Sequence, residues 1–150
     1  TCLCWQSFSI SMSGDDWQKR FAQGIDEFNR QEYFDCHETL EDCWREQPGV
    51  EREATQGIIQ IAVAYYHLKR GNVKGGLKLF ERGLPRVKKF APICLGLDLA
   101  NLAEQVEIDH KLLQLCPQNS PASLRFALIR AADAAIEPVA PLVASDDSVI

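Results

Sequence analysis

The chain has 150 residues, of which 46% are apolar and 25% charged, and it carries a formal charge of −5. This is the composition of an ordinary soluble protein, long enough for one domain, or a core domain with tails, and a sizeable core. No run approaches the roughly 18 uninterrupted apolar residues needed to cross a bilayer, so no membrane partner is expected.

In chain order, the opening "TCLCWQSFSISMS" is apolar but has neither a basic residue nor a convincing cleavage site, so it reads poorly as a signal peptide. Residues 1–13 are expected to be a disordered tail or an added extension, with a single helical domain over 14–138 and a C-terminal tail over 139–150. Ser13 and Asp16 form a plausible capping box before Trp17, Phe21, Ile25 and Phe28, an apolar stripe spaced by three and four. A second helix is expected from about Gln31 to Glu46, stopped by Gln47, Pro48 and Gly49. A third runs from about Glu51 to Lys69 and stops at Gly71. Asn72 caps a fourth, which reaches Pro85 or a few residues beyond. Leu97 to Leu115 makes a fifth. Ser120-Pro121 opens a sixth that ends near Glu137-Pro138. No segment alternates like a strand. The fold class is therefore all-α, an antiparallel bundle of five to six helices.

A faint repeat at an offset of 40 aligns Phe28 with Leu68, Arg30 with Arg70, Cys36 with Gly76 and Leu40 with Phe80. Such helix pairs are the unit of tetratricopeptide-like hairpins, and two copies make a bundle rather than an array. The six cysteines show no C-x-x-C spacing, and Cys36 and Cys43 are too far apart along one helix to bridge. Buried free thiols in a reducing cytoplasm are the better reading.

The chemistry concentrates in "HETLE", residues 37–41. A zinc protease motif would be H-E-x-x-H, and here Glu41 stands in the place of the second histidine. His37 and Glu41 share a helical face with Phe34 and Trp44, two aromatics expected in the core. On the next helix Gln56, Gln60 and His67 recur on one face. Packing the two as a hairpin sets Glu41 level with Gln60, Trp44 with Gln56, and His67 near Phe34. Buried polar groups must bond to one another or to a ligand. Three readings follow: a hydrogen-bonded network that sets the helix register, a divalent metal held by His37, Glu41 and His67 with Glu38 as general base of a hydrolase, or a small-molecule pocket. No Ser or Cys lies in a nucleophile elbow, and Cys36 points about 100° away from His37 on a helix.

A fourth feature is charge. Between Leu68 and Phe90 there are eight basic residues and one acid, Glu81. Lys74, Lys78, Arg82 and Arg86, spaced by four, form a stripe suited to phosphate contacts, which makes nucleic acid a partner to test. The plainer reading is the solvated face of an amphipathic helix, and pairing with the acidic remainder of a second copy would make a homo-oligomer.

"FNRQEYFDCHETLEDCWRE" followed by "QGIIQIAVAYYHLKRGNVKGGLKLFERGL" resembles DUF309, a family of small helical proteins of unknown function. Its pattern, approximately F-N-x-x-x-[YF]-[FY]-x-x-H-E-x-x-E-x-x-W and then Q-G-x-I-Q-x-A-x-A-x-x-H with a Gly-Asn turn, covers Phe28 to Leu84. It takes in His37, Glu38, Glu41, Trp44, Gln56, Gly57, Gln60, His67, Gly71 and Asn72 without a departure. The resemblance implies an all-helical bundle and marks the same polar residues, but it implies no activity. The leading expectation is thus a cytoplasmic, non-catalytic ligand-binding or interaction module.

Overall fold

A computed structural model describes residues 14–116 and 123–132. Among the described residues five helices carry the fold: α1 (Gly14–Asn29), α2 (Tyr33–Glu46), α3 (Arg52–Lys69), α4 (Val73–Lys89) and α5 (Leu99–Leu115). Two short strands, β1 (Ile93–Cys94) and β2 (Leu97–Asp98), pair antiparallel between α4 and α5. This small hairpin was not expected from the sequence. Ser13 of the expected capping box and the two tails lie outside the described residues. No described helix is long and apolar enough to cross a membrane.

Each helix packs on its neighbour in the chain. Trp17 Nε1 donates to the Cys43 carbonyl near one end of α1–α2, and Phe28 meets Tyr33 edge-on at the other, so the pair is antiparallel. Helices α3 and α4 approach closely because glycines face each other. A Cβ on Gly83 would lie 2.8 Å from the Gly57 carbonyl oxygen, and one on Gly57 would lie 2.8 Å from Arg86 Cβ. The buried residues Phe28, Leu40, Ile58, Ile61, Tyr65, Leu68, Phe80, Leu102 and Val106 draw the core from every helix.

The repeat at offset 40 has a counterpart in the turns. Gln31 and Gly71, at equivalent places, both take positive φ, 64° and 83°. Glu32 N donates to the Glu27 carbonyl at 2.9 Å and Gln31 N to that of Phe28 at 3.0 Å. Asn72 N and Gly71 N repeat this with His67 and Leu68, at 2.8 and 3.0 Å. Both hairpins therefore turn through the same Schellman motif. Asn72 then caps α4 by accepting from Gly75 N, as its position implied.

The described part of the expected sixth helix, 123–132, is not an α-helix but a largely extended strap. Its residues Leu124, Ala127 and Ile129 point inward, while Leu128 and Arg130 are exposed. Side chains of the bundle satisfy its backbone. Asn29 exchanges two hydrogen bonds with Ile129, donating to its carbonyl at 2.9 Å and accepting from its N–H at 2.7 Å. Gln105 does the same with Leu128, at 2.9 and 3.0 Å. The fully buried Asp109 accepts from Tyr65 Oη at 2.6 Å, Arg125 N at 2.8 Å and Phe126 N at 3.1 Å. An extended chain needs partners outside itself for its N–H and C=O groups. These three side chains, Tyr65 Oη accepting from Ala127 N at 3.2 Å, and the backbone of Gly96 and Asp98 supply them. That is the physical reason the local helical period lost.

Candidate functional site

The expected polar stripe exists, but it is a half-exposed edge of α2 rather than a buried cluster. Helix α2 buries Tyr33, Cys36, Leu40 and Cys43. Phe34, His37 and Glu41 lie beside that face toward solvent, while Trp44 is half-buried and packs against the core, as expected for it. Phe34 is 49% exposed, against the core position expected for it. The side chains of His37 and Glu41 are 30% and 38% exposed and approach only to 4.0 Å, while Arg45 reaches Glu41 at 3.4 Å. Glu38 is exposed.

On α3 the partners differ from those expected by levelling the helices. Gln60 accepts a hydrogen bond from Arg86 Nη1 on α4 at 3.0 Å, and His67 Nδ1 lies 3.5 Å from Asn72 Nδ2. Phe34 packs on Tyr66, with ring centroids 5.7 Å apart. Among the described residues no group of three or more His, Cys, Asp and Glu gathers where it could hold a metal ion. The candidate set His37, Glu41 and His67 is therefore not brought together.

What the structure does bring together is Trp44, Gln56 and Arg86. They line a cleft of about 600 Å³ with Arg52, Glu53 and Lys89. The turn at Gly49 (φ 84°) brings α3 back along α2 and opens the cleft at one end of the bundle. Arg52 lies 3.8 Å over the Trp44 ring, and its Nε donates to the Trp44 carbonyl at 2.9 Å. This fixes the indole as a wall through a cation–π contact and a helix-end carbonyl at once. Across the cleft Lys89 Nζ bonds Glu53 Oε1 at 2.8 Å, and Arg86 Nε stands 3.8 Å from Glu53 Oε2. That hydrogen bond, with the charges of Lys89 and Arg86, holds the Glu53 carboxyl below the usual carboxylate range. Three cations and one carboxylate thus line the cleft, and two of the cations meet the carboxylate.

Residues 21–79 match the family model of a domain of unknown function, DUF309. The resemblance read from the sequence is shown over that span, which contains the motif residues from His37 to Asn72. The chain is also 35% identical over 95 residues to the uncharacterized protein YpuF of Bacillus subtilis (strain 168). That alignment covers 61% of this chain and 55% of YpuF, so the chain spans about half the length of its relative. Trp44 and Gln56 lie within the DUF309 span, whereas Arg86 and Lys89 follow it.

Of the basic stripe, Arg86 turns into the cleft to reach Gln60, while Lys74, Lys78 and Arg82 are exposed on α4. Sequence reasoning missed Arg52, Glu53 and Lys89 as cleft residues. One signal was present: Arg52 opens a helix, where the macrodipole disfavours a cation, and here its charge is directed back to the carbonyl end of α2. The thiols follow the sequence reading in part. Cys36 and Cys43 are free and buried, Cys94 is partly covered and Cys116 exposed. Burial pushes the Cys43 thiol up to about 12 and Cys36 further still.

Proposed function

We propose that the protein is a cytoplasmic, non-catalytic binding protein whose ligand, a small molecule with a negatively charged group, sits in the cleft between Trp44 and Arg86. The observation that carries this reading is the convergence of Arg52, Arg86 and Lys89 with a single acid, Glu53, around the indole of Trp44 and the amide of Gln56. A cleft of about 600 Å³ is in the range of small-ligand sites, with an aromatic wall for packing and guanidinium groups for paired hydrogen bonds to carboxylate or phosphate. An arriving anion would take Lys89 and Arg86 from Glu53, exchanging one set of charge-assisted bonds for another.

The test is a thermal-shift and calorimetric screen of mono- and dicarboxylates and phosphate esters against wild type and Arg86→Ala. The reading expects at least one anion to raise the melting temperature, with the shift lost in Arg86→Ala and weakened by Trp44→Leu. Equal shifts in the folded variant would place the ligand elsewhere. A second reading rests on the exposed Lys74, Lys78 and Arg82 as nucleic-acid contacts. It expects affinity that falls steeply with salt and is lost in a Lys74→Ala/Lys78→Ala/Arg82→Ala variant, with Arg86→Ala contributing less.

A further inference from the structure

The turn that opens the cationic cleft has a second pocket on its other side, with the opposite chemistry. It holds about 390 Å³ and is lined by Trp17, Glu46, Gln47, Pro48, Glu51 and Leu95, with Gly14 at its edge. Among the described residues no Lys, Arg or His lines it. Two acceptors of its lining have unmet needs. Gln47 is only 8% exposed, yet its Oε1 is buried without a hydrogen-bond partner, and Glu46 Oε2 is in the same condition. Buried acceptors are rarely left orphaned, because the water they lose is not replaced. The indole Trp17 Nε1–H, a donor in the same lining, is committed to the Cys43 carbonyl at 3.0 Å.

We propose that this pocket binds a small organic cation, a primary ammonium or guanidinium on a short alkyl stem. Such a group carries several N–H donors and no acceptor, which complements Gln47 Oε1 and Glu46 Oε2. The carboxylates of Glu46 and Glu51 offset its charge, and an indole is the best aromatic partner for a cation. Pro48 and Leu95 supply apolar walls for the stem. The protein's own residues 1–13, which precede Gly14, contain no Lys, Arg or His, so that segment has no side-chain cation to offer. The inference is independent of the anion cleft, since it uses none of its residues.

The experiment is a titration of the ¹⁵N-labelled full chain with n-butylammonium chloride, following the indole N–H signal assigned by Trp17→Phe. 1-Butanol and sodium chloride serve as matched controls, and capped lysine amide distinguishes a free amine from the end of a lysine side chain. The expected result is a saturable shift at millimolar butylammonium, absent with both controls. Glu46→Gln should weaken it about tenfold, the loss of one charge-assisted hydrogen bond. Glu51→Gln is the second variant, should Glu46→Gln fail to fold. Binding of butylammonium alone identifies a free amine, and binding of the capped lysine as well identifies a lysine side chain; both support the site. No saturable shift, an equal response to 1-butanol, or unchanged affinity in folded Glu46→Gln and Glu51→Gln overturns it.

Discussion

Asp109 is the single side chain on which the strap depends most. The substitution Asp109→Asn is nearly isosteric, so it tests hydrogen bonding rather than packing. In the native arrangement one oxygen accepts from Tyr65 Oη and Phe126 N, and the other from Arg125 N. An asparagine can keep its oxygen on the first pair, but its amide then faces the Arg125 N–H, donor against donor. Tyr65 has no easy escape, because its own oxygen already accepts from Ala127 N at 3.2 Å. Hydrogen bonds to a charged group are worth about 1.5–3 kcal/mol each. Losing one and weakening two gives a destabilisation of about 2–4 kcal/mol. With a urea slope of about 1–1.5 kcal/mol/M, the unfolding midpoint should fall by about 2 M. Asp109→Ala, which strands all three donors, should cost about 4–5 kcal/mol. Amide exchange supplies the local readout: Arg125, Phe126 and Ala127 should lose protection in Asp109→Asn before α3 and α4 do. A midpoint within about 0.3 M of wild type, with those three amides as protected as before, would refute the role of the carboxylate in holding the strap.

Gly83→Ala should lower the melting temperature although alanine is the better helix former. Its Cβ meets the Gly57 backbone oxygen at 2.8 Å, and a cost of roughly 1–3 kcal/mol for overpacking outweighs about 1 kcal/mol of propensity. A rise in the melting temperature would show that the two helices can separate freely. Glu41→Ala should change stability by less than about 0.5 kcal/mol in urea unfolding, because its partners His37 and Arg45 are reached across solvent. A loss of a few kcal/mol would restore the buried network expected from the sequence. Stability should also fall at alkaline pH. Burial raises the Cys43 thiol from 9.0 to about 12, and burial beside Asp109 holds Tyr65 well above its ordinary value. The folded state then keeps protons that the unfolded chain releases, so this stabilisation is complete below about pH 9 and is lost as pH rises toward about 12. Urea midpoints that stay flat from about pH 8 to about pH 11 would contradict it.

The sequence by itself determined that the five described helices exist and roughly where they lie, because each has an apolar face at helical spacing, although α4 runs past Pro85 to Lys89. It also carried the repeat at an offset of 40, while the shared Schellman geometry of Gln31 and Gly71 came from the structure. It marked Trp44, Gln56 and Gln60 as residues of one region. Only the tertiary structure decided which way the stripe faces. A face holding Phe34 and Trp44 looks like core by composition, but Tyr33, Cys36, Leu40 and Cys43 had already filled that direction. Helix α2 packs on both α1 and α3, yet of the second stripe Phe34 stays 49% exposed and Trp44 only half-buried, and periodicity does not rank the two stripes. The strap was equally out of reach. "LRFALIR" has a helical spacing when read alone, and it runs extended because Asn29, Gln105, Asp109 and Tyr65 meet its backbone from distant parts of the chain. Local pattern reports what a segment can bury; which backbone partners await it is settled only when the helices have packed.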